Sequence, residues 1–139
     1  MSNTKKTGQK QLDELRVLLK AEEISEYAGN KEAFKSASKS FLSQLLRDLR
    51  TKLELRGDVV VKSRYNFNPG GPAVPGDPSL YIMARSKGVA IYISQGHTNQ
   101  PEILYRNVKS MTDYSGQGNH WIPVTQPYLT ILSAVAGML

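Results

Sequence analysis

Lys52-Leu53-Glu54-Leu55-Arg56-Gly57-Asp58-Val59-Val60-Val61-Lys62 is where this chain changes character. On its N-terminal side apolar residues recur every three to four positions among many charges, the pattern of a helix with one buried face. On its C-terminal side a β-branched run begins, and short alternating segments between Pro/Gly-rich connections follow it. Gly57-Asp58 is the hinge, since glycine accepts the left-handed conformation in which helices commonly end. The order predicted is helices first, then a small sheet: an α+β fold.

Upstream, Phe34, Ala37, Phe41, Leu45 and Leu49 form one stripe, widened by Leu42, Leu46 and Leu53, and predict a helix from Lys31 to about Leu55. An earlier helix is expected from Gln9 to about Ala28, carried by Leu12, Leu15, Leu18, Leu19 and Ile24. Glu22, Glu23 and Glu26 oppose the helix dipole at its C-terminal end. Gly29 and Asn30 suit a stop and a new N-cap. The two helices form an N-terminal helical hairpin. Residues 1–8 are polar and read as a disordered tail.

Downstream, Val59 to Phe67 reads as a strand with Val59, Val61, Tyr65 and Phe67 on one side and Val60, Lys62, Arg64 and Asn66 on the other. The Pro/Gly-rich segment Asn68 to Pro78 suits a connection or a binding loop. Leu80–Arg85 and Val89–Ser94 flank Ser86-Lys87-Gly88 and predict a hairpin with Gly88 at positive φ. Gln95 to Pro101 is a loop and Ile103–Lys109 a further strand. The sum is a four-stranded, mainly antiparallel sheet. Ser110 to Pro123 reads as irregular. Thr125 is the expected N-cap of an apolar C-terminal helix containing Tyr128, Leu132 and Val135, with Pro127 in its first turn. The domain is then 9–139, with 9–56 helical and 57–139 holding the sheet and last helix.

The chain has 139 residues, no cysteine and a formal charge of +6. Residues 1–56 carry twelve Lys/Arg against eight Asp/Glu, and residues 57–139 six against four. The absence of cysteine excludes disulfides and thiolate metal sites. The N-terminus lacks an apolar core behind its charges, and the apolar stretch from Tyr128 is too short to span a bilayer, so the expected location is cytoplasmic. Neither Gly-x-Gly-x-x-Gly nor a phosphate-loop lysine occurs, and two histidines with scattered acids give no metal cluster; no cofactor is expected.

Two basic surfaces stand out. Lys35, Lys39, Ser43, Arg47 and Arg50 share one face of the long helix, with Asp48 off it. Lys62, Arg64 and Arg85 interleave with Tyr81 and Tyr92 on the sheet. Regularly spaced cations can track a phosphate backbone, and tyrosines among cations can stack bases. The same residues also suit a plain solvated surface. The expected function is a non-enzymatic protein docking on nucleic acid or a nucleoprotein machine, of the kind common among accessory or inhibitory factors of phages and mobile elements. One alternative is a metal-independent ribonuclease using His97 and His120 as acid and base, with Arg106 or Lys109 as cation and Tyr105 or Tyr114 in support. Another is a protein-only module or homo-oligomer docking through Tyr128, Leu132 and Val135.

Overall fold

A computed structural model of the chain describes residues 3–19, 31–68, 77–85, 87–94, 102–114 and 118–139. In chain order these form α1 (Asn3–Leu19), α2 (Lys31–Leu55), β1 (Val60–Asn68), β2 (Asp77–Ala84), β3 (Gly88–Ser94), β4 (Glu102–Val108), β5 (His120–Pro123) and α3 (Tyr128–Ala136). The class is α+β, and the sheet is an antiparallel meander in the order β1-β2-β3-β4-β5. It holds five strands rather than four. The fifth, β5, lies in the stretch expected to be irregular, and it pairs Ile122 with Ile103 and His120 with Tyr105. Four residues ending in Pro123 are too few to announce a strand by alternation, so pairing to β4 defines it. Glu22, Glu23, Ile24, Glu26, Gly29, Asn30 and residues 69–76 and 95–101 lie outside the described residues.

The helices cover one face of the sheet. Leu12 and Leu15 of α1, Phe41, Leu45 and Leu49 of α2, and Ile131 and Val135 of α3 form one core with Leu80, Ile82, Val89, Ile91 and Ile103. The α2 stripe therefore packs as its periodicity predicts. The helix ends at Gly57, whose φ of 80° carries a Schellman closure: Asp58 N–H donates to Leu53 C=O at 2.8 Å and Gly57 N–H to Glu54 C=O at 3.0 Å.

α1 starts at Asn3, inside the stretch read as a tail. Its Gly8 lies so close to the Tyr128 ring that any Cβ there would overlap it. The next residue, Gln9, accepts the Tyr128 backbone N–H on its side-chain oxygen at 2.9 Å. That contact corrects the expected N-cap of α3. Pro127, not Thr125, holds the cap position and makes no side-chain capping bond. The exposed amide of the first turn is satisfied by another helix instead.

α3 itself is a core element. Tyr128, Leu132 and Val135 are all buried, which corrects the reading of these three as a docking surface. The Tyr128 ring meets Phe41 edge-on at 6.1 Å, and its hydroxyl donates to the buried carboxylate of Asp48. Burial, then that hydrogen bond, pushes the Tyr128 phenol far above its ordinary pKa. No helix among the described residues is long and apolar enough to cross a membrane.

Two further corrections concern the sheet. A register shift between Val60 and Lys62 makes Val61 an extra residue, so Val60 joins Tyr65 and Phe67 against the core while Val61 is 59% exposed. Gly88 is not at positive φ; a Cβ there would collide with Met83 Sδ and lie 2.9 Å from Val108 Cγ2. Close packing, not turn geometry, requires that glycine.

Candidate functional site

Strand alternation sends every second side chain to the face the helices leave open. The register then aligns them in rows: Arg64 beside Tyr81, Tyr81 beside Ala90, Ala90 beside Arg106. The neighbouring row is Asn66, Ser79, Tyr92, Leu104 and Trp121. The segment after β4 brings Tyr114 over this surface, where its ring meets that of Tyr81 edge-on at 5.9 Å. Between them lies a cavity of about 570 Å³, lined also by Asn68 and Asn119. That volume falls within the range of small-molecule sites.

Two cations, Arg64 and Arg106, line the cavity, and no carboxylate is among its described lining residues. Arg64 donates through Nη2 to Tyr114 Oη at 3.0 Å and to Met111 C=O at 3.1 Å, with its guanidinium 5.2 Å from the Tyr81 ring centre. Arg106 is only 2% exposed. Its Nη2 donates to Asp113 C=O at 2.6 Å and weakly to Tyr81 Oη at 3.4 Å. Its Nη1 lies 3.9 Å from Asp113 Oδ1 and makes no hydrogen bond. This buried guanidinium is thus incompletely paired. Tyr81 and Tyr92 share a hydroxyl–hydroxyl hydrogen bond. Burial, then that bond, pushes the Tyr81 phenol up to about 12, with Arg106 opposing.

No family model matches the chain, and no curated protein or solved structure matches it significantly. The site must therefore be read from its own chemistry.

The two basic surfaces expected from sequence meet at one strand. Lys35 Nζ sits 5.3 Å from the Phe67 ring centre, Lys39 Nζ 5.8 Å from that of Tyr65, and Arg50 reaches Ser63 Oγ at 3.4 Å. These cations flank the helix side of β1, while Lys62 and Arg64 project from its other side. β1 is the outer strand of the sheet, so its margin carries cations on both sides. Arg47 instead turns to Gln44 Oε1 at 2.8 Å. Arg85 follows the end of β2 in an exposed bend and does not line the cavity.

The proposed ribonuclease residues fare differently. His97 lies outside the described residues. His120 stacks on Tyr105 at 5.3 Å, and Tyr105 packs toward the helices, whereas Arg106 points to the open face. His120 and Arg106 thus occupy opposite faces, and Lys109 is exposed beyond the end of β4. Among the described residues no three His, Asp or Glu side chains gather closely enough to hold a metal ion.

Asn66, Ser79, Leu104, Asn119 and Trp121 were not singled out from sequence as site residues. The available signal was modest: Leu104 and Arg106 alternate with Ile103 and Tyr105, which places an arginine opposite an apolar face.

Proposed function

We propose that this protein is a non-enzymatic binding protein that takes a nucleic-acid strand across its open sheet face and along the β1 margin, alone or within a nucleoprotein assembly. The observation that carries this reading is the cavity of Arg64, Arg106 and tyrosines adjoining a strand bordered by Lys35, Lys39, Arg50 and Lys62. Phosphates pair with the cations. Exposed rings, Tyr114 and Trp121, supply stacking surfaces for bases. A single strand suits this geometry because its bases are free to meet the rings, whereas a duplex hides them.

The test is mobility of labelled single-stranded RNA, single-stranded DNA and duplex DNA at low and physiological salt, with strand integrity read in the same samples. Single strands should bind more tightly than duplex, with a logarithmic salt slope of about −3 to −4 if roughly five cations take part. The Lys35→Glu/Lys39→Glu double variant should weaken binding about tenfold or more while remaining folded, since each exposed cation–π contact is worth about 0.5–1 kcal/mol. Salt-independent binding, or none, would overturn the reading. Strand cleavage would overturn its non-enzymatic part.

A further inference from the structure

The cavity has a property that backbone tracking does not call for. Surface cations such as Lys35 and Lys39 need no ligand, because water satisfies them. Arg106 is different: it is buried, it lines the cavity, its Nη1 has no hydrogen-bond partner, and Nη1 is ion-paired to Asp113 Oδ1 only at 3.9 Å. A buried charge left in that condition is a standing cost, and a small anion in the cavity is what would offset it. Arg64 lines the same cavity, so two guanidiniums meet there with no carboxylate among the described lining residues. Planar guanidiniums bind phosphate oxygens in paired hydrogen bonds. The remaining polar wall is neutral, Asn66, Ser79 and Asn119, suited to hydroxyls and base edges, and Tyr114 offers a ring.

About 570 Å³ is ample for phosphate with a sugar and a base. We infer that the cavity is a nucleoside-monophosphate pocket, with Arg106 and Arg64 holding the phosphate monoester and Tyr114 beside the base. A monoester is favoured over an internal diester because it presents three non-bridging oxygens, rather than two, to the paired donors of the two arginines. The ligand has two sources: a free nucleotide, or the phosphorylated end of a strand. The strand-end version rests on the nucleic-acid reading above; the free-nucleotide version does not.

The experiment is a titration of the full chain, followed by backbone amide NMR and calorimetry, with AMP and UMP, with the matching nucleosides, with inorganic phosphate, and with oligonucleotides bearing a 5′-phosphate, a 3′-phosphate or hydroxyl ends. Monophosphates should shift the resonances of residues 64, 79, 104, 106 and 119 in a saturable way, and nucleosides should bind at least about tenfold more weakly. Arg64→Ala, at an exposed position, should lower monophosphate affinity about tenfold, and Arg106→Lys more, because lysine cannot present the planar fork. Asn119→Ala, also exposed, guards against loss of binding through misfolding of the Arg106 variant and should weaken the nucleotide but not inorganic phosphate. Oligonucleotides that bind regardless of end chemistry, with no monophosphate binding, would overturn the inference and leave the proposed function standing. Monophosphate binding without oligonucleotide binding would do the reverse. Equal affinity for nucleosides and monophosphates would overturn the phosphate role of both arginines.

Discussion

On its helix side the sheet presents Leu80, Ile82, Ile91 and Ile103 to the leucines of α1 and α2; on its other side the same strands present Ser79, Tyr81, Tyr92 and Arg106 to a cavity. Ser79, Tyr81 and Arg106 are as buried as many of the aliphatic residues behind them. The energetics are opposite. Burying aliphatic surface contributes about 25 cal/mol per Å², whereas burying polar atoms costs free energy unless each finds a partner. The helix side is therefore where the fold gains stability. The open side spends some of it, and the incompletely paired Arg106 marks the place.

The contrast can be broken most directly by truncation on each side. Ile91→Ala, between the helices and the sheet, should cost about 2–5 kcal/mol in urea denaturation. Leu104→Ala, on the half-buried cavity wall, should cost under about 1.5 kcal/mol. Equal losses would mean that both faces are structural cores.

A sharper test replaces the buried charge. Replacing the pair, Arg106→Met with Asp113→Asn, removes both charges while roughly keeping volume, so stability should stay within about 1 kcal/mol of the parent or rise, even as phosphate binding disappears. A fall of several kcal/mol would show that Arg106 is primarily a structural tie to Asp113 and the segment above it.

The smallest effect appears only in alkali. The Tyr81 phenol is held protonated to about 12, while in the unfolded chain it ionises near its ordinary value of 10. Its contribution is thus complete below pH 10 and declines as pH rises from there through about 12. Tyr128 and Tyr65 are raised too, by burial, so alkaline unfolding engages both faces. Comparing denaturation at neutral pH and near pH 11, Tyr81→Phe should lose less stability than the parent. An identical decline would remove Tyr81 from the account.

Much of this molecule could be read in one dimension. The limits and buried stripe of α2, its closure at Gly57 and the first four strands all follow from neighbouring residues, because helix periodicity, capping and strand alternation are local. The cavity was only partly legible. Lys62, Arg64, Tyr81 and Tyr92 share a face as alternation predicts, yet Arg106 entered as a member of a histidine site from whose His120 the sheet separates it.

The amino-acid sequence by itself determined the helices-then-sheet order and which face of each helix is apolar, since these depend on spacing alone. Tertiary structure alone decided that β5 exists, that Val60 rather than Val61 turns inward, and that Gln9 satisfies the first amide of α3. It also decided that Arg64, Ser79, Tyr92, Arg106, Tyr114 and Asn119 surround one cavity. The physical reason is register: a single extra residue at Val61 exchanges the faces of its neighbours, and only hydrogen bonding to β2 chooses where that residue falls.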